Sequence, residues 1–152
     1  MMLRLDRFLR LPAADRWLAL EALAWLGIAR AAVVTLPFRW VAARIGRPLP
    51  GPVSSSEPML RLPPPEARAV GQAILRVKHH TPWHSNCLAQ ALAGYCMLRR
   101  RGIPGTLCFG MAKNAQGELE AHAWLRSGGM VLTGGRGLSR YTLVAAFAGG
   151  RG

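Results

Sequence analysis

A thiol and an imidazole can carry acyl chemistry when the imidazole takes the thiol proton and returns it to the leaving group. Cys87 and His122 are the pair best placed for that work. Cys87 follows Ser85, a hydroxyl residue of the kind that caps helices, and falls in the first turn of a helix running through Leu88, Leu92, Tyr95 and Leu98. Free backbone N–H groups and the positive end of the helix dipole stabilise a thiolate there, which is the reactive form. The Cys87 N–H also suits a developing oxyanion, and the indole of Trp83 and the amide of Asn86 are candidates for a second donor. Without such a position, a helical cysteine is more often a small buried hydrophobe.

His122 stands in a run whose alternation puts Leu119, Ala121, Ala123 and Leu125 on one face of a strand. Glu118, Glu120, His122, Trp124 and Arg126 take the other. From that polar face the imidazole is expected to meet the first turn of the Cys87 helix, the plainer alternative being a solvated strand histidine. Cys96, deep in a helix, and Cys108, in mid-strand, read as core. His79 and His80 close a helix, where a cation suits the dipole. His84 lies in the same turn as Cys87 and is poorly placed to span nucleophile and leaving group. These histidines and the three cysteines form no metal knuckle and no CxxC, so no metal and no cofactor is expected.

The elements that must position the pair read as helices first and sheet second. A helix over 13–31 is apolar around most of its circumference at Leu18, Leu20, Leu23, Trp25, Leu26 and Ile28, and needs cover on more than one side. A second helix runs to Ile45, with Pro37 near its first turn and Gly46 as its stop. Residues 47–65 hold seven of the eleven prolines with Ser54, Ser55 and Ser56, and read as a linker or long surface loop. A third helix starts at Glu66 with Val70, Ala73, Ile74 and Val77 on one side. After a break at Thr81 and Pro82 comes the Cys87 helix, closed by Arg99, Arg100, Arg101 and Gly102. Strands are expected over 106–111, 118–126 and 130–133, with a turn at 114–117, a hairpin at Gly128 and Gly129, and a shorter element at 141–147. The fold class is α+β: an apolar helical segment (1–46), the linker (47–65) and a core (66–152), forming one compact unit.

A chain of 152 residues fits one domain, and with 51% hydrophobic but only 7% aromatic residues its core must be Leu, Ala and Val. The net charge of +13 comes almost wholly from arginine, Lys78 and Lys113 being the two lysines. Such charge favours contact with something acidic, or reflects a genome rich in Arg, Ala and Gly codons. No zinc-finger spacing, basic region or aromatic platform accompanies it, so no nucleic-acid partner is expected. Three unpaired cysteines fit a reduced, cytoplasmic protein. Residues 17–36 could be misread as a membrane span, but Glu21 and Arg30 would be costly in lipid. Pro12 and Asp15 interrupt the pattern of a signal peptide, Asp15 resembling a helix cap. A buried helical hairpin is expected, membrane contact being the less favoured reading.

The run Pro82-Trp83-His84-Ser85-Asn86-Cys87-Leu88-Ala89-Gln90-Ala91-Leu92 resembles the nucleophile helix of the lasso peptide biosynthesis leader peptidases. Leu98-Arg99-Arg100-Arg101-Gly102-Ile103-Pro104 and Ala121-His122-Ala123-Trp124-Leu125 resemble further segments of the same family. These are transglutaminase-like cysteine peptidases related to the processing protein of microcin J25, and the resemblance covers nearly the whole chain. It implies a papain- or transglutaminase-like core with Cys87 as nucleophile and His122 as general base and acid. It further implies a bacterial hydrolase that removes the leader peptide from a ribosomally made precursor before a lasso cyclase closes the ring. The apolar helical N-terminus is unlike the winged helix-turn-helix with which relatives grip the leader, so a separate leader-recognition protein is implied.

Relatives with a full triad carry an Asp about a dozen residues after the histidine. Here that stretch reads Val131-Leu132-Thr133-Gly134-Gly135, and no Asp or Glu follows Glu120. Glu120 shares the strand face with His122 but lies about 7 Å away, long for a direct bond. Thr133, a backbone carbonyl or a water is left to orient the ring, and the third triad member stays unassigned. A decayed site that only binds a peptide or partner is the alternative from another class. Acyl transfer to an amine by the same dyad is a third.

Overall fold

The computed structural model describes residues 2–49, 62–81 and 86–149. Two helices rich in small residues lie on one face of the sheet. α4 (Pro65–Val77) starts with proline at its first position, where the missing N–H costs nothing, and buries Ala67, Val70, Ala73, Ile74 and Val77. α5 (Cys87–Arg100) buries Ala89, Ala91, Leu92, Ala93, Gly94, Tyr95, Met97 and Leu98, and ends on Arg99 and Arg100. Close approach is the reason for the small side chains: a Cβ on Gly94 would come within 2.6 Å of Leu125 Cδ2.

The sheet is antiparallel throughout, in the order β1-β5-β2-β3-β4. Its strands are β1 (Arg47–Pro48), β2 (Gly105–Lys113), β3 (Leu119–Ser127), β4 (Met130–Thr133) and β5 (Thr142–Gly149). Leu107, Phe109, Ala123, Leu125, Leu132 and Phe147 join the main core beneath the helices. The chain from β4 to β5 must cross the sheet, and it does so over the opposite face. There Leu138, Tyr141 and Leu143 pack on a smaller cluster of Cys108, Trp124 and Ala146. β4 pairs with Leu125, Arg126 and Ser127, so among the described residues no strand flanks the part of β3 before Leu125 on that side.

Three helices precede the sheet: α1 (Met2–Leu9), α2 (Ala13–Thr35) and α3 (Phe38–Ile45). α2 places Ala19, Ala22, Leu26 and Ala29 in the main core, packed on α4 and α5. Glu21 makes a bidentate ion pair with Arg101, at 3.0 and 2.5 Å, and lies 3.4 Å from Arg100. α3 is tied down at its last turn: the buried Tyr95 hydroxyl donates to the Ile45 carbonyl, and Arg99 Nη1 donates to the Arg44 carbonyl at 3.1 Å.

Several expectations need correction. α1 is a separate helix ahead of the first one read at residue 13, inside the segment expected to be helical, and α2 runs to Thr35 instead of stopping near residue 31. Pro12, not Asp15, precedes its first turn. α2 and α3 are no buried hairpin: Trp17, Leu20, Ile28, Val34, Phe38 and Trp40 are exposed. The supposed linker begins with β1, which pairs Arg47 with Ala148 and Pro48 with Phe147, while residues 50–61 lie outside the described residues. β5 is no shorter element but an eight-residue strand, because it pairs with both β2 and β1.

Candidate active site

α5 begins at Cys87 itself. Its cap is Asn86, whose side-chain oxygen accepts the Ala89 N–H at 2.9 Å. Ser85, the expected cap, lies outside the described residues together with Trp83 and His84. As the first helical residue, Cys87 has a backbone N–H with no acceptor inside the helix. Its side chain is half-buried against the main core. Asn86 is exposed, and with its oxygen engaged only its amide nitrogen is left to donate elsewhere.

The His122 ring is half-buried and stacked, 4.7 Å from the Tyr141 ring and 6.0 Å from the Trp124 ring, near-parallel to both. Gly110, opposite His122 in the ladder, leaves room for this arrangement, since a Cβ there would lie 2.8 Å from the Trp124 ring. His122 Nε2 is 2.7 Å from the Gly134 carbonyl oxygen. A carbonyl only accepts, so Nε2 carries the proton, and in the neutral ring Nδ1 keeps the basic lone pair. Gly134 lies twelve residues after His122, so a backbone carbonyl holds the ring where the resemblance looks for a carboxylate. Glu120 turns instead to Arg140, at 3.6 Å. The Thr133 hydroxyl is buried on the helix side of the sheet with no partner among the described residues, its methyl facing Gly94, and does not reach the ring.

The pair is not brought together as expected. Ladder partners share a face: Gly110 with His122 and Cys108 with Trp124 on one, Phe109 with Ala123 and Leu107 with Leu125 on the other. α5 packs on the second face, so His122 points to the face away from it. Among the described residues no hydrogen bond joins Cys87 and His122. The reason lies in the apolar area. Leu107, Phe109, Ala123, Leu125 and Leu132 together form the surface that best buries the helices, and the face taken for polar carries the buried Trp124.

Helix and strand nevertheless bring the two residues to one level. Gly94 meets Leu125, and Leu98 lies by Gly105, so α5 and β3 run in the same direction. From Gly94 back to Cys87 is about 10 Å of helix, and from Leu125 back to His122 about 10 Å of strand. The two groups therefore flank β3 from opposite sides, at the stretch that β4 leaves uncovered.

A family model described as the transglutaminase-like superfamily matches residues 32–146, about three quarters of the chain. The chain belongs to the transglutaminase-like superfamily. No curated protein and no solved structure matches it. The matched region runs from within α2 into β5 and takes in Cys87, His122, Gly134 and Tyr141. The α+β architecture, a helix led by cysteine on an antiparallel sheet behind N-terminal helices, is that of a transglutaminase-like core. This superfamily fold fits cysteine-dependent hydrolysis or acyl transfer.

Among the described residues, the other cysteines and histidines of this transglutaminase-like chain sit in the core or beyond a helix end. Cys108 is buried, and Cys96 is half-buried against the core, where desolvation pushes its thiol pKa up and keeps it protonated. His79 and His80 are exposed beyond α4. Among the described residues no group of three or more His, Cys, Asp or Glu could hold a metal ion. Tyr141 is the neighbour that sequence reasoning missed. Nineteen residues from His122 and outside β3, it shares no periodicity with it.

Proposed function

We propose that this chain is a cysteine peptidase that removes the leader peptide from a ribosomally made lasso peptide precursor in the bacterial cytoplasm, acting with a separate leader-recognition protein. The observation that carries the reading is Cys87 as the first residue of a capped helix in a transglutaminase-like core. The three sequence runs around Cys87, Gly102 and His122 supply the finer assignment.

In this reading Cys87 Sγ attacks the carbonyl of the last leader residue, and its proton passes to His122 Nδ1. The Cys87 N–H holds the oxyanion, with the Asn86 amide as second donor. His122 returns the proton to the departing amine of the core peptide, and water then frees the leader from the thioester. The imidazole must first leave its stack and the Gly134 carbonyl. Release gives up one hydrogen bond, about 1 kcal/mol, and two ring contacts of about 0.5–1.5 kcal/mol each. The total of about 2–4 kcal/mol holds the assembled dyad to roughly one molecule in 30 to 1,000. A partner or precursor that binds the assembled form more tightly offsets this cost, so cleavage by the isolated chain is slow and the recognition protein accelerates it.

The test is cleavage of a candidate precursor, followed by mass spectrometry, with the recognition protein present. Cys87→Ala and His122→Ala abolish it, and undiminished cleavage by Cys87→Ala overturns the assignment. The far-side imidazole favours a second reading, a peptide- or partner-binding module with a decayed site. In that case iodoacetamide labels Cys87 no faster when recognition protein and precursor are added. Acyl transfer is separated by product mass, since the acyl group would remain on an added amine.

A further inference from the structure

We infer that the outward face of α1, α2 and α3 is a docking surface for an anionic lipid bilayer, on which the protein lies as a peripheral protein. α2 is long and apolar enough to cross a membrane. One stripe of it, Ala19, Ala22, Leu26 and Ala29, is committed to the protein core, and Glu21 is held by Arg100 and Arg101. The opposite stripe, Trp17, Leu20, Ala24, Ile28, Ala31 and Val34, carries no charge over about 26 Å of helix and is exposed. Exposed Leu5 and Leu9 of α1 and Trp40 of α3 are further apolar side chains on these helices, while the half-exposed Phe38 packs edge-on against Phe109. Trp17 and Trp40 are 73% and 59% exposed, an unusual state for tryptophan away from an interface. A helix pinned to protein along one side and apolar along the other rests in the plane of a bilayer instead of spanning it.

The charge selects the occupant. Residues 1–49 carry eight arginines against three acidic residues, and Glu21, one of the three, is already paired. Arg30 borders the strip itself, lining an open groove of about 360 Å³ with Gly27, Ala31, Val34 and Thr35. Arg7 and Arg10 are exposed on and beyond α1, and Arg39 is exposed on α3. An uncharged strip bordered by arginines matches acyl chains below and anionic headgroups at the rim, with the long side chains reaching outward. A second copy of this chain would bring like charges together around the same strip.

The experiment uses the full chain with vesicles of phosphatidylcholine alone or mixed with phosphatidylglycerol, read by co-sedimentation and tryptophan emission. The chain sediments with the phosphatidylglycerol vesicles, its emission shifts to the blue, and 0.5 M salt weakens binding. Leu20→Glu with Ile28→Glu lowers binding at least tenfold at unchanged circular dichroism and melting temperature. Arg30→Gln with Arg39→Gln lowers it about 30-fold. Cys87→Ala binds as the wild type does, which keeps this readout separate from the peptidase proposal. Failure to bind phosphatidylglycerol vesicles, or undiminished binding by either double variant, overturns the inference. So does a wild-type dimer that Leu20→Glu with Ile28→Glu splits into monomers, which assigns the face to a second copy. Loss of recognition-protein binding in that variant, with no vesicle binding by the wild type, assigns it to that partner and likewise overturns it.

Discussion

In the variant Gly134→Ala the added methyl carbon would lie 2.6 Å from the Ala123 carbonyl oxygen and 3.0 Å from Trp124 Cβ. The residue also sits at φ +75°, a conformation that costs alanine about 1–2 kcal/mol. Neither contact can be relieved by a rotamer change, since one partner is backbone and the other a Cβ, so the loop or β3 must shift. The shift moves the Gly134 carbonyl off His122 Nε2 and forfeits about 1 kcal/mol more. The expected loss is about 2–4 kcal/mol, or about 5–15 °C in melting temperature for a chain of this size. Gly117→Ala is the control, because Gly117 has φ +79° with nothing within 4 Å and loses only the conformational part. Thermal unfolding gives the stability, and nitrogen NMR of the imidazole gives the tautomer. The wild type carries its proton on Nε2, and Gly134→Ala gives a mixture. The reasoning is refuted if Gly134→Ala melts no lower than Gly117→Ala and leaves the His122 tautomer unchanged.

Tyr95→Phe strips the Ile45 carbonyl of its buried donor and costs about 1–2 kcal/mol, with faster amide exchange in α3 as the local sign. Gly94→Ala gains about 1 kcal/mol of helix propensity but forces the packed Leu125 to move, at about 1–3 kcal/mol. Denaturant unfolding should show net destabilisation that disappears in a Leu125→Ala background. The Arg101 guanidinium holds the Glu21 carboxyl below its usual value of 4.5, so the pair stabilises the fold above that pH and its contribution fades as pH falls through the lowered value. Glu21→Gln therefore costs about 1 kcal/mol or less near neutrality and progressively less as the pH falls below 4.5, read from melting temperature against pH. Tyr141→Ala removes one wall of the His122 stack and should raise alkylation of Cys87 in the isolated chain about two- to tenfold by peptide mapping; a fall would show that the stack holds the base in its working position.

Local order in the chain was legible because its causes are local. Pro37 and Gly46 bracket α3, Pro65 opens α4, and the double glycine after residue 127 makes the β3–β4 hairpin. Each is a backbone effect that a neighbouring residue decides, so helices followed by antiparallel sheet, with cysteine at a helix start, could be read directly. Alternation along β3 likewise sorted Ala123 and Leu125 from His122 and Trp124.

Which side of β3 would face α5 was a different matter. That choice depends on apolar area summed over β2, β3 and β4, and on the crossing segment that brings Leu138 and Tyr141 over the other face. The carbonyl that holds His122 comes from a loop whose path is set by that crossing. In α2, similarly, an almost fully apolar circumference shows that cover is needed but not where. The stripe of Ala19, Ala22 and Ala29 went inward because small side chains let it approach α4 and α5 closely. Residue identities thus determined the elements and the candidate chemistry. Only the packing of distant segments decided which faces met, because burial is shared among strands and helices that no short stretch of sequence contains.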